Sequence, residues 1–174
     1  MADSREDEEE EIDTAAVEAS FVLLMRWLHR QPEFTPEMLA DKDVQKFIRS
    51  HAGVLDRAVD FSIHQRPIDD ISVRRLKESN YVFSGFKTFH ELNEAFPSLI
   101  DADGNRKPFE RFLNDVQKVN ETYNRWYLKT EYNFALSSAA MAARWKQWWD
   151  DEDRDRYLLQ YRTVGDKRVR EAHR

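Results

Sequence analysis

Apolar residues recur along this chain at steps of three and four, the period of helices packed on one side. Val17, Phe21, Leu24 and Leu28 step by four, three and four, and Met25 and Trp27 widen their face, so the pattern predicts a helix over 12–30. Gln31-Pro32 stops it, because the residue before a proline is driven out of the helical region. Thr35-Pro36-Glu37 then reads as a start signal of cap, first-turn proline and acid. A helix over 43–51, carrying Val44, Phe47 and Ile48, is predicted to close at Gly53. A further helix over 54–65 puts Leu55, Ala58, Val59 and Ser62 on one side and ends before Pro67. The stretch 69–79 predicts a short charged helix anchored by Ile71 and Leu76. YVFSGF at 81–86 reads as extended, punctuated by Gly85. Thr88 and Glu91 have the spacing of a capping box for a helix through Phe96. The segment 98–107 is a connection built on an Asp-Gly turn at Asp103-Gly104.

The longest uninterrupted pattern is 108–150. Neither proline nor glycine follows Pro108 until Gly165, so nothing in the backbone chemistry ends a helix between them. Phe109, Phe112, Val116, Val119, Tyr123, Trp126, Phe134, Met141, Trp145 and Trp148 form its apolar series, which thins at 130–133, the expected place for a break. Ala135, Ser138, Ala139, Ala142 and Ala143 make a small-residue strip that permits close approach of a neighbouring helix, within the fold or between chains. Trp148 and Trp149 cannot both face one way, so Trp149 joins Ala135, Ala139 and Ala142 as a candidate partner contact. For most of the tryptophans the periodicity predicts a place against the core or a partner helix, rather than stacking on nucleic-acid bases. After 150–156, a charged break, YLLQYRT at 157–163 has strand-like content.

Composition sharpens this picture. Four glycines and five prolines in 174 residues argue against an all-β sandwich, and zero cysteines exclude disulfides and thiolate metal sites within the chain. No apolar run approaches the roughly 20 residues of a membrane span, so no membrane partner is expected. The net charge of -6 is concentrated at the start: residues 1–13 carry eight acids against Arg5, a balance of -7, and the remainder sums to +1. This acidic lead is predicted to stay solvated and disordered. Residues 154–174 hold seven basic residues against three acids. The expected fold is mainly α: an acidic lead at 1–13, a helical region at 14–107, a long or broken amphipathic spine at 108–150, and a C-terminal region at 151–174 with a short strand-like segment.

Sites of known chemistry are few. Counted from Asp101, a calcium loop would need glycine at its sixth position and an acid at its twelfth, where this chain has Arg106 and Phe112. His29, His51, His64, His90 and His173 show no zinc spacing, and no GxSxG, phosphate loop or GxGxxG occurs, so no cofactor is expected. At the C-terminus, Arg162, Arg168 and Arg170 could hold phosphate through guanidinium forks, beside Asp166 and His173. A charged terminal helix that pairs its own arginines with Asp166 and Glu171 accounts for the same residues equally well.

Two stretches, LKTEYNFALSSAAMAARW at 128–145 and LQYRTVGDKRVREAH at 159–173, resemble the phage Mu F-like minor head proteins, or phage head morphogenesis proteins. The resemblance covers roughly 35–174, and its motif falls on Tyr161, Thr163, Asp166, Arg168, Val169, Arg170 and His173. It implies a non-enzymatic minor head protein of a tailed phage or prophage, acting in capsid assembly and in DNA packaging or delivery. The implied partners are the portal or other head proteins, with weak contact to phage DNA and room for self-association. The implied places are the bacterial host cytoplasm during assembly and then the virion head. Relatives continue beyond the motif histidine, whereas this chain stops one residue after His173, so a truncated C-terminus is expected. Two alternatives stand beside this reading. One is a nuclease or transferase using Arg162, Asp166, Arg170 and His173, completed by a missing segment. The other is a plain helical interaction module.

Overall fold

The computed structural model describes residues 14–156 and 158. The acidic lead at 1–13, the strand-like 157–163 apart from Leu158, and the terminal motif lie outside the described residues. What is described is mainly helical: α1 (Ala15–Leu28), α2 (Lys42–Gln65), α3 (Asp70–Ala95), α4 (Phe109–Asp115), α5 (Gln117–Asn120) and α6 (Tyr127–Trp149), with a π-helical segment, Glu121–Trp126, between α5 and α6. The chain divides into two compact units, Met1–Ala143 and Arg144–Arg174, with the boundary inside α6.

In the first unit α1 buries Val17, Phe21, Leu24, Met25, Trp27 and Leu28, the face that its spacing predicts. This face meets Val44, Phe47, Ile48 and Leu55 of α2, and Phe112, Val116 and Leu128 of the spine, in one apolar core. Phe21 and Phe47 pack edge to face with centroids 6.3 Å apart.

Two predicted boundaries are absent. α2 runs straight through Gly53, because the face Phe47, Ile48, His51, Val54, Leu55, Ala58, Val59 and Ser62 is buried without interruption. Burying those side chains outweighs the roughly 1 kcal/mol that an interior glycine costs a helix. α3 likewise absorbs the segment read as extended. Tyr81, Val82, Phe83 and Phe86 sit on its exposed side, and so does Ile71, the expected anchor. Thr88 does not cap anything. Its hydroxyl donates to the Ser84 carbonyl at 2.8 Å, four residues back within the helix. The working caps are Asp41, which accepts from the Asp43 amide at 2.8 Å, and Asp69, which accepts from the Ser72 amide at 2.9 Å.

The connection at 100–107 turns as its sequence predicts. Gly104 has a φ of +83°, and the Asp101 carboxylate accepts from the amides of Asp103 and Asn105 at 3.0 and 2.9 Å. The turn delivers Arg106 and Lys107 to the end of α1. Arg106 donates to the carbonyls of His29 and Gln31, and His29 Nε2 donates to the Lys107 carbonyl at 2.7 Å.

The spine breaks earlier than expected, at Val116 and through the π segment, while 130–133 is regular α-helix. The reason lies in the spacing of its buried residues. Val119, Asn124, Leu128, Tyr132, Ala135, Ala139 and Ala143 face inward, and the step from 119 to 124 is five. One wider π turn absorbs that extra residue and keeps both ends in register. Along α6 a separate face stays in solvent: Tyr127, Phe134 and Met141, seven residues apart, are 50%, 75% and 50% exposed. Phe134 and Met141 therefore do not belong to the core face that the apolar series predicts.

Candidate functional site

Where α2, α3 and α6 converge, the interior is polar. His51 on α2, Ser84, Lys87, Thr88 and Glu91 on α3, and Asn124 in the π segment are all buried, and Glu131 on α6 reaches in among them. These helices supply the residues at helical spacing: 84, 87, 88 and 91 share one face of α3, and His51 continues the stripe begun by Phe47 and Ile48.

Lys87 is the centre. Its ammonium donates to Glu131 Oε2 at 2.7 Å, to the Tyr123 carbonyl at 2.6 Å and to His51 Nε2 at 2.7 Å, which uses all three of its protons. The tautomer of His51 follows by elimination. Ser84 gives its proton to the Asn80 carbonyl at 2.8 Å, so its oxygen accepts from His51 Nδ1 at 2.9 Å, and Nε2 is left as the acceptor for Lys87. His51 and Glu131 Oε2, 3.1 Å apart, then share one ammonium and are not an ion pair of their own.

Burial governs the protonation of the cluster. It pulls His51 below its ordinary value, with the Lys87 charge acting in the same direction and the Glu131 charge against it, so the ring is neutral at neutral pH. Burial also pulls Lys87 down, while the charge of Glu131 opposes that shift. Glu131 is pushed up by burial, but the charge and the hydrogen bond of Lys87 oppose this and hold the carboxyl below the usual range. Glu91 is wholly buried, and burial pushes it to about 8 in spite of Lys87. The three acceptors around Lys87 call for its ammonium, so the cluster holds that cation with the Glu131 carboxylate, the neutral His51 ring and, at neutral pH, a Glu91 that is mostly the neutral acid. Glu91 accepts from Asn124 Nδ2 at 3.1 Å through Oε2, leaving Glu91 Oε1 and Asn124 Oδ1 as buried oxygens without a protein partner.

The cluster does not open onto the groove along α3. That groove, of about 750 Å³, is walled by Asp70, Val73, Arg74, Lys77, Glu78, Tyr81 and Val82, none of which belongs to the cluster. Among the described residues no set of three His, Cys, Asp or Glu side chains is placed to hold a metal ion, and no helix is long and apolar enough to cross a membrane.

The residues singled out from sequence fall elsewhere. Tyr161, Arg162, Thr163, Asp166, Arg168, Val169, Arg170 and His173 lie outside the described residues. Ala135 and Ala139 are buried in the chain's own packing, Ala142 is half-buried and Trp149 is 60% exposed. Trp126, Trp145 and Trp149 are exposed and Trp148 is half-buried, so of the five tryptophans only Trp27 sits in the core of this chain. In the second unit the Arg154 guanidinium lies 5.2 Å over the Trp149 ring and donates to the Trp149 carbonyl at 2.7 Å. Sequence reading missed the cluster because it assigned 81–86 to an extended segment. A signal for it was present in His51, a polar residue inside an apolar stripe. Comparison with models of protein families, with curated proteins and with solved structures gives no match.

Proposed function

We propose that this chain is a non-enzymatic head-morphogenesis protein of a tailed phage or prophage, of the Mu F-like minor head type, which works by presenting α6 to another head protein. The observation that carries this reading is the series Tyr127, Phe134 and Met141, large apolar side chains at seven-residue intervals left in solvent along one face of a long helix. Single exposed apolar residues are ordinary on protein surfaces, but a regular row matches helix-on-helix recognition. The 128–145 stretch that carries the family resemblance contains Phe134 and Met141. Contact with packaged DNA belongs in this reading to the basic residues of 154–174, is weak, and declines steeply with salt.

The buried cluster is read here as a fastening between helices and not as a catalytic centre. Its ammonium has every proton committed inside the protein, and the groove that could admit a ligand lies along other residues of α3. The test is peptide mass spectrometry on density-purified full heads from the strain that encodes this chain. Peptides from 109–144 are expected in the heads. Heads covered well enough to reveal portal subunits, yet lacking those peptides, would overturn the reading.

A further inference from the structure

On the exposed face of α6 small residues separate the large ones. Thr130 and Ser137, both in solvent, fall on the same side of the helix as Tyr127, Phe134 and Met141, so large and small side chains alternate along it. The row is also uncharged. Between 127 and 143 the charged residues are Lys129 and Glu131. Glu131 turns its carboxylate into the buried cluster, and Lys129 lies about 140° round the helix from Phe134. α3 exposes Ile71, Val82 and Phe86 as well, but there the Arg75–Glu78 pair, at 3.3 Å, crosses the apolar face, and a partner would have to bury it.

A row of this kind complements itself in one direction only. In a parallel pair the large residues of two copies collide and the small ones leave gaps. In an antiparallel pair each large residue settles over a small one, and the two-fold axis repeats every contact. The area is that of a weak dimer. The exposed parts of Tyr127, Phe134 and Met141 come to roughly 350 Å². With the smaller residues between them a pair buries on the order of 1,000 Å², the low end for specific association.

We propose that two copies of this chain pair antiparallel through 127–141 of α6, with Phe134 over Ser137 and Met141 over Thr130 of the second copy. This rests on the same row as the head-protein reading and names what occupies it in solution, so a head protein must displace the second copy. The two readings fail separately. Heads without this chain would leave the dimer standing, and a chain that stays monomeric would leave the head-protein reading standing.

The test is sedimentation equilibrium of the full chain, with a reversible monomer–dimer midpoint expected at roughly 10–500 µM. Because the contact pairs no charges, it should not weaken between about 0.05 and 0.5 M salt. Phe134→Glu should weaken it more than about tenfold while the circular dichroism stays that of the parent. Ser137→Phe fills the space that Phe134 of the other copy needs and should weaken pairing about tenfold, although it adds apolar surface. Phe134→Ser combined with Ser137→Phe should recover most of that loss. Direction is read from a spin label on Glu121→Cys, the sole thiol in a chain without cysteine. Antiparallel copies hold two such labels roughly 40 Å apart, and parallel copies hold them within about 20 Å. A monomer up to about 500 µM, indifference to Phe134→Glu, tighter pairing by Ser137→Phe, or the short label distance would each overturn the proposal.

Discussion

Where α1 lies against α2 and the spine, the packed side chains are Val17, Phe21, Leu24, Phe47, Ile48 and Phe112; where α2, α3 and α6 converge, they are His51, Ser84, Lys87, Glu91, Asn124 and Glu131. The first centre is non-directional, and its stabilisation scales with the apolar area removed from water. The second is a chain of named donors and acceptors in which nearly every proton has one place to go. An apolar interface tolerates side chains that slide or repack. A cluster in which Lys87 must meet α2, the π segment and α6 at once does not, because a one-residue slip strands a buried ammonium. The contrast suggests a division of labour: the apolar centre supplies stability, and the polar one selects a single register for α3 and the spine.

The contrast breaks most readily at Lys87. Lys87→Ala leaves Glu131, His51 and the Tyr123 carbonyl without their donor and is expected to cost about 3–5 kcal/mol in urea unfolding, whereas Lys87→Met with Glu131→Leu should recover much of that loss. A loss under about 1 kcal/mol for the single variant would show that the cluster selects nothing. Phe112→Ala, in the apolar centre, should cost about 3–4 kcal/mol, and by the same amount at pH 5 and pH 8.

The polar centre, unlike the apolar one, answers to pH. Folded Glu91 keeps a proton that the unfolded chain releases above about 4.5, so its contribution is whole below that pH and is lost as pH climbs toward about 8. His51 acts in the other direction: its folded value is depressed, so its contribution is present above the ordinary 6.5 and is lost as pH falls below it. Glu91→Gln should therefore flatten the fall in stability between pH 5 and pH 8, an effect of a few kcal/mol at most. Parallel slopes for the variant and the parent would contradict the buried acid. At the small end, Asp69→Ala removes the α3 cap and should cost about 1 kcal/mol, and Phe134→Glu should move stability by less than about 0.5 kcal/mol.

The sequence spoke clearly where a single periodicity decided the outcome. All six apolar residues predicted for the first helix are buried on α1, and the Asp-Gly turn forms with glycine at positive φ. It misled where a local signal competed with packing. Gly53 and Gly85 look like stops, yet neither a Cβ clash nor a positive φ is attached to either one, and the neighbouring helices keep both inside α2 and α3. The spine was legible as helix but not in phase. Its π segment inserts one residue that no composition rule announces, and the surplus shifts Phe134 and Met141 out of the expected core stripe. The cluster was the least legible part, since Lys87 carries no signal of its own and Glu91 reads as the capping-box partner of Thr88 until α3 is known to be one helix.

The clamp that Arg106 and Lys107 place on the end of α1 has a consequence for the order of events during synthesis. The carbonyls of His29 and Gln31 find their partners only in residues made about 75 positions later. At a typical ribosomal pace of roughly 5–20 residues per second, α1 waits on the order of 4–15 s for the groups that close it. By then α2 is already made and can cover part of its apolar face, so the turn at Gly104 closes the end of the helix just before Phe112, Val116 and Leu128 arrive to complete the core.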